Sequence, residues 1–163
     1  MADWQYCPIC GAPLEPFEDD EQRTRSGCSA EDCTFVHYNN PTPVVAAIVQ
    51  YGNDVILARS VGWPDDWFGL VAGFLEEGEA PQAGIIREVR EELGVRGDVQ
   101  DFVGHYPFEQ MNQIILAYHV QIHDEPSAGA ELAAIKPVPI DEVTPWPMGT
   151  GPALRDWLAR RKT

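Results

Sequence analysis

Three observations on this sequence predict a mixed α/β fold. Short β-branched apolar runs alternate with a strongly amphipathic helical segment, and that segment is punctuated by Pro81 before it and Gly94 after it. A second amphipathic segment follows the last strand-like run. Strands flanking a central helix, with another helix last, assemble as helices layered on a sheet. The 163 residues suffice for one domain with a hydrophobic core plus a small appendage.

Residues 1–38 differ from the remainder, holding all four cysteines, an acidic loop (Glu15, Glu18, Asp19, Asp20, Glu21) and little apolar content. The turn-forming stretch Asn39-Asn40-Pro41-Thr42-Pro43 reads as a boundary, giving expected domains of 1–38 and 39–163. Val44–Val49 is an apolar run suited to a buried strand; Gly52-Asn53-Asp54 is a turn, and Val55–Ala58 returns as its hairpin partner. A loop rich in aromatics (Trp63, Trp67, Phe68) leads to Leu70–Leu75, and Gln82–Leu93 has helical spacing. Strands are expected near Val99–Val103 and over Gln113–Ile122, with a loop at 124–131. Near the end, Ala153, Leu154, Trp157 and Leu158 share one helix face, opposite Arg155, Arg160 and Arg161.

The composition is that of an ordinary globular protein, and no stretch approaches the roughly eighteen apolar residues of a membrane span. The first residues lack the charged and apolar regions of a secretion signal, so a soluble cytoplasmic protein without a membrane partner is expected. A formal net charge of −15 argues against non-specific binding to nucleic acid or an anionic membrane. It is compatible with phosphate chemistry if the acidic residues hold divalent cations.

On a wheel of about 100° per residue, Ile85, Ile86, Val89 and Leu93 form one face of the central helix. Glu88, Glu91 and Glu92 form another, with Arg87 and Arg90 pointing elsewhere. A solvated acidic face accounts for that wheel on its own. Two features oppose it: glutamates near a helix C-terminus oppose the macrodipole, and three together repel unless a cation intervenes. Clustered hard oxygen ligands suit Mg²⁺ or Mn²⁺.

Gly73, five residues, Glu79, seven residues and then Arg87-Glu88-Val89-Arg90-Glu91-Glu92-Leu93-Gly94-Val95 resembles the Nudix box at every defined position. The resemblance implies a Nudix α/β/α sandwich with a mixed sheet, in which the box is a loop–helix–loop that presents metal ligands. It implies that Glu88 and Glu92 are the main metal ligands, Glu91 a ligand or base, and a backbone carbonyl at Ala72–Gly73 a further ligand. Glu79 and Arg87 would pair to fix the loop on the helix. Hard cations so held neutralise a diphosphate and activate water, while a nearby carboxylate takes the proton. Glu91, Glu131 and Glu109 are candidates for that base. Glu131 is preferred, because its context resembles the acidic residue that the NADH pyrophosphatase group places after its last long strand.

Cys7-Pro8-Ile9-Cys10-Gly11 has the tight turn of a zinc knuckle, and Cys28 and Cys33 supply a second pair. Four thiolates in two local pairs suit tetrahedral Zn²⁺, with a disulfide framework or a redox dithiol as alternatives. Residues 1–33 carry about six net negative charges, so a structural or dimer-forming ribbon is expected rather than a nucleic-acid reader. His37-Tyr38-Asn39-Asn40-Pro41 resembles the junction between ribbon and hydrolase domain in zinc-containing Nudix proteins, and a homodimer is expected by that resemblance.

Ribbon and Ala72-Gly73-Phe74 together resemble the NADH pyrophosphatase branch, implying hydrolysis of NAD(H) or another nucleoside diphosphate linked to a second moiety. The Ser-Gln-Pro-Trp-x-Phe-Pro segment of that branch is replaced here by 104–111, leaving ADP-ribose, FAD, dinucleoside polyphosphates and nucleotide sugars open. Trp63, Trp67, Phe68, Tyr106 and Phe108 are candidates to stack on a base, and His105 to pair with a phosphate. A Nudix-type sensor that binds without cutting is the competing function; such sensors usually lose a glutamate of the box.

Overall fold

The computed structural model describes residues 4–161. In chain order run β1 (Leu14–Glu18), β2 (Thr24–Cys28), β3 (Val36–His37), β4 (Thr42–Tyr51), β5 (Asp54–Ser60), β6 (Val71–Phe74), α1 (Pro81–Leu93), β7 (Gly97–Phe108), β8 (Gln113–Ile122), β9 (Leu132–Pro139) and α2 (Gly151–Arg160). A single 3-10 turn, Glu109–Met111, joins β7 to β8. The chain divides into two compact units, Met1–Asn40 and Pro41–Thr163.

In the smaller unit β1, β2 and β3 form an antiparallel sheet in which Leu14 lies opposite Cys28 and Ser26 opposite His37. Of the residues expected as an acidic loop, Glu15 and Glu18 lie in β1, paired with Gly27 and Thr24, and Asp19, Asp20 and Glu21 form the hairpin turn between β1 and β2. Asp19 organises it, accepting the N–H groups of Glu21 and Arg23 at 3.0 and 2.9 Å and the Arg25 Nε at 3.0 Å.

The larger unit is a mixed six-stranded sheet of order β7-β8-β4-β5-β9, with β6 added beside β4. Strand β4 runs parallel to β8 over its whole length, from Thr42 opposite Gln113 to Tyr51 opposite Ile122. Its other edge is shared. β6 pairs antiparallel with Val44–Ala47, and β5 pairs with Val49–Tyr51 through the hairpin turn. Strand β4 is therefore central, and its unbroken apolar run reflects burial on both faces. Val45, Ala47 and Val49 join Ile85, Val89 and Leu93 of α1 in one core, while Ile48 joins Ala153, Leu154 and Trp157 of α2 in another. The two helices thus cover opposite faces, completing an α/β/α sandwich. Among the described residues no helix is long and apolar enough to cross a membrane.

Three elements differ from expectation. Thr42 and Pro43, read as boundary residues, begin β4, because pairing with β8 starts at Gln113 and supplies the partners a turn would lack. The strand expected near 99–103 runs from Gly97 to Phe108, absorbing most of the 104–111 segment, with register shifts at Val99/Asp101 and Phe102/Gly104. Extra residues at bulges blur the period-two pattern by which a strand is recognised. β9 was unforeseen, since Pro137 and Pro139 argue against a strand; it lies at a sheet edge, where a missing N–H is tolerated.

Ile85 is fully buried at the contact between α1 and the sheet. Ile85→Ala is expected to cost about 2–5 kcal/mol of stability, read as a lower midpoint in chemical denaturation.

Candidate active site

Local sequence builds the helix that carries the glutamates. Pro81 opens α1, and Gly94 ends it in the left-handed conformation (φ 69°), its N–H donating to the Arg90 carbonyl at 3.0 Å. Ile85, Val89 and Leu93 have no exposed surface, and Ile86 is partly buried beside them. With that face anchored to the sheet, Glu88, Glu91 and Glu92 leave the helix in its C-terminal half, towards β6 and the loop after it.

Arg87 is the hub of this region. Its Nε and Nη2 donate to the two carboxylate oxygens of Glu79, both at 2.9 Å. Nη1 donates to Glu88 at 2.6 Å and to Glu91 at 3.1 Å, and Nη2 also donates to the Phe74 carbonyl at 3.1 Å. The wheel had Arg87 pointing away from the carboxylates; the length of its side chain lets it fold back over them. Glu79 also accepts the Glu76 N–H at 3.2 Å, so one carboxylate ties the β6–α1 loop to itself and to the helix. Arg87 holds the Glu79 carboxyl below its ordinary range.

Glu88 and Glu92 are perturbed in the opposite direction. Burial raises Glu88 most, and the charges of Glu91 and Glu131 add to it, against the opposing effect of Arg87. Glu92 is raised by burial and then by Glu88 and Glu131 to about 7, against a hydrogen bond from the Ala72 N–H. The backbone at 72–73 therefore runs beside both ligand candidates. A Cβ at Gly73 would overlap the Glu88 carboxylate, which explains why glycine stands there. Two half-buried carboxylates, Glu88 and Glu92, within electrostatic reach of further acids and with too little positive charge, fit a divalent cation.

Glu131, from beyond β8, is the downstream acid whose charge reaches Glu88 and Glu92; both it and Glu109, which lies in the 3-10 turn, are exposed. The loop before Glu131 is docked on the carbonyl end of α1. Ser127 N–H donates to Leu93 at 3.0 Å and Gly129 N–H to Glu92 at 2.7 Å. A side chain at Gly129 would collide with the Glu91 carbonyl.

A cleft of about 670 Å³ adjoins Glu92, running along the ends of β4 and β8 between the Trp63–Gly69 loop and the Trp146–Thr150 segment. Trp63, Trp67, Phe68 and Phe108 line it, as do Ala72 and Gly73. Tyr106 does not. Its hydroxyl donates to Asp156 of α2 at 3.1 Å, and burial with that hydrogen bond raises it to about 12. The candidate stacking role for Tyr106 gives way to a structural one, because β7 turns it towards α2. His105 is exposed on the same strand. Phe74, Gln113, Trp146 and Met148 also line the cleft and were not singled out in the sequence. Trp146-Pro147-Met148-Gly149 lies in a loop with no periodicity to mark it; two aromatic or thioether side chains beside Pro and Gly were the only signal.

The four cysteine sulfurs lie within 4.8 Å of one another. Cys7 and Cys33 sulfurs are 3.7 Å apart and those of Cys10 and Cys28 3.4 Å apart, well beyond a bonded pair at about 2.05 Å. Sulfurs at the corners of a tetrahedron of about 2.3 Å bonds stand about 3.8 Å apart, close to what is seen. Burial raises the Cys7 thiol, but hydrogen bonds from the N–H groups of Cys10 and Ile9 and from neighbouring thiols outweigh it and bring it to about 7. Cys28 is instead pushed up to about 12 and Cys33 is raised, so without a cation the cluster favours one thiolate among neutral thiols.

The family model for the NUDIX domain matches residues 40–160. The chain belongs to the Nudix family. Among curated relatives, the NAD-capped RNA hydrolase NudC of Mycobacterium bovis is 30% identical over 118 residues, covering 71% of this chain and 36% of the relative. NudC of Stutzerimonas stutzeri is 25% identical over 162 residues, covering 98% of this chain and 55% of the relative. The chain thus spans between 36% and 55% of the length of these two relatives. A NUDIX hydrolase crystal structure from Nitrosomonas europaea superposes with a TM-score of 0.79 at 22% identity, covering 98% of this chain and 93% of that one, a likeness of fold.

In this Nudix box burial and the neighbouring carboxylates raise Glu92 to about 7, so a cation binding there would displace a proton. Mg²⁺ affinity is expected to rise as pH passes from about 6 to about 8, measured by titration calorimetry in buffers of different ionisation heat. In metal-free protein the folded chain holds a proton that the unfolded chain, titrating near 4.5, releases. That stabilisation is complete below about 4.5 and lost as pH rises through about 7. Thermal denaturation in chelator should show this decline, and Glu92→Gln should flatten it.

Proposed function

We propose that the chain is a metal-dependent pyrophosphohydrolase that cleaves the diphosphate bond of a nucleoside diphosphate linked to a second moiety, NAD(H) or ADP-ribose being representative. The observation that carries this reading is the placement of Glu88 and Glu92 beside the 72–73 backbone, within electrostatic reach of Glu91 and Glu131, at one end of an aromatic cleft. The relatives' names, NAD-capped RNA hydrolase, support a dinucleotide-like substrate.

Glu88, Glu92 and Glu91, with a backbone carbonyl at Ala72 or Gly73, would hold Mg²⁺ or Mn²⁺. The bound cation supplies charge neutralisation for the diphosphate and an acidified water. Glu131 takes a proton from the attacking water, whose oxygen joins one phosphorus as the bridging oxygen leaves with the other, giving two monophosphates. Arg87 and Glu79 keep the loop and Glu88 in place and hold Glu91 against the helix, so the carboxylates need little reorganisation when substrate arrives. Trp67, Phe68 and Phe108 cover the base or ring of the substrate. The same reading divides the chain into a ribbon over 1–38, in which Cys7, Cys10, Cys28 and Cys33 bind structural Zn²⁺, and a Nudix domain over 39–163.

Glu88→Gln and Glu92→Gln are each expected to lower kcat by about 100-fold or more on a nucleotide panel with Mg²⁺ or Mn²⁺, with product masses in ¹⁸O water giving the attacked phosphorus. Activity retained in both variants would remove the site assignment. For the ribbon, elemental analysis should find one zinc per chain, and Cys28→Ser should lose it along with thermal stability.

A further inference from the structure

The aromatic cleft beside Glu92 carries fixed charge of one sign. Among the described residues lining it there is no lysine, arginine or histidine, whereas Asp66 and Glu92 both line it. Trp63, Trp67, Phe68, Phe74, Phe108 and Trp146 supply its aromatic surface. Trp63, Trp67 and Phe74 are 43%, 61% and 57% exposed, so ring area remains to cover a ligand. Arg59 and Lys136 lie over the Phe68 ring, 6.0 and 5.7 Å from its centroid, and neither lines the cleft.

The loop that carries Asp66 is held in place. Ala58 and Gly69 exchange two backbone hydrogen bonds of 2.9 Å, and the Trp63 and Trp67 N–H groups donate to Ser60 and Pro64 at 3.1 Å. The Trp63 ring lies against Gly69, where a Cβ would stand 3.4 Å from it. Arg59 is bonded to Asp65 at 2.6 Å, while Asp66 has no ion-pair partner among the described residues. Glu92 is committed to the reacting end, so Asp66 is the acidic charge left to act on whatever ring enters. An aromatic wall with an unpaired carboxylate attracts a flat cation, and an added anion meets no basic side chain in the lining, Arg59 and Lys136 lying over the Phe68 ring instead.

We propose that this cleft selects the ring-bearing end of a doubly capped diphosphate by charge, preferring a pyridinium over the same ring reduced and uncharged, and disfavouring a ring that bears a carboxylate. The inference rests on the hydrolase reading of the glutamate site, and its test separates the two. NAD⁺, NADH and the nicotinic-acid analogue of NAD⁺ are matched probes. The second differs by a hydride that removes the ring charge, the third by a carboxylate in place of the amide.

With full-length protein and Mg²⁺ or Mn²⁺, kcat/KM for NAD⁺ is expected to exceed that for each of the others about tenfold, mainly through KM. Asp66→Asn, on an exposed loop, should bring both ratios towards one. Equal or faster hydrolysis of NADH or of the acid analogue overturns the proposal, as does an Asp66→Asn variant that keeps the tenfold preference. If none of the three is hydrolysed, calorimetric titration of the metal-loaded protein decides. Tighter binding of NAD⁺ upholds the cleft assignment while removing the hydrolase reading, and equal or undetectable affinities overturn the cleft assignment. Hydrolysis without preference leaves the hydrolase reading standing and removes this one.

Discussion

The guanidinium of Arg87 is the interaction on which this site depends. It makes paired hydrogen bonds to Glu79, further ones to Glu88 and Glu91, and one to the Phe74 carbonyl, thereby joining β6, the following loop and α1. A planar fork of five donors can do this; an ammonium, as a point charge on a flexible stem, cannot reproduce the paired geometry. Its side chain and that of Glu79 are 23% and 17% exposed, so solvent weakens the pair less than on an open surface. Yet one cation among so many carboxylates leaves a deficit. Glu92, with no arginine of its own, is raised to about 7, by burial first and then by the charges of Glu88 and Glu131.

That deficit and the fold belong together. α1 is pinned by Ile85, Val89 and Leu93, and the 124–131 loop is pinned to the carbonyl end of the same helix through Ser127 and Gly129. Both anchors press acidic groups towards the 72–73 backbone, where repulsion would otherwise separate them. The fold thus supports an arrangement of like charges that is unfavourable by itself, as functional sites commonly are. At the other end of the cleft the logic reverses: aromatic surface is plentiful and basic groups are absent from the described lining. One end gathers carboxylates, the other aromatic surface.

Much of this was legible in the chain because it depends on local spacing. Pro81 and Gly94 bracket α1 by backbone chemistry that needs no partner, and the apolar face at Ile85, Val89 and Leu93 follows from helical period alone. The two cysteine pairs likewise come together through tight local turns. Other features were hidden for identifiable reasons. Bulges at Val99/Asp101 and Phe102/Gly104 broke the alternation of β7, and prolines masked β9 at its sheet edge. Tyr106 sat among the aromatic candidates because residue type records nothing of direction, and the strand delivers it to Asp156.

The sequence by itself determined the family, through the spacing from Gly73 to Val95, and which side chains leave each face of α1. Tertiary structure alone decided that Arg87 folds back over the carboxylates, that the charge of Glu131 reaches Glu88 and Glu92, and that Trp146 and Met148 share a cleft with Trp67. The reason is the range of the interactions. Turn and helix preferences act over a few residues and leave a readable period. The meeting of residues 63–69, 72–73, 92 and 146–150 instead depends on β4 lying between β8 on one side and β5 with β6 on the other. Strand order of that kind is a global property of packing, written in no single segment.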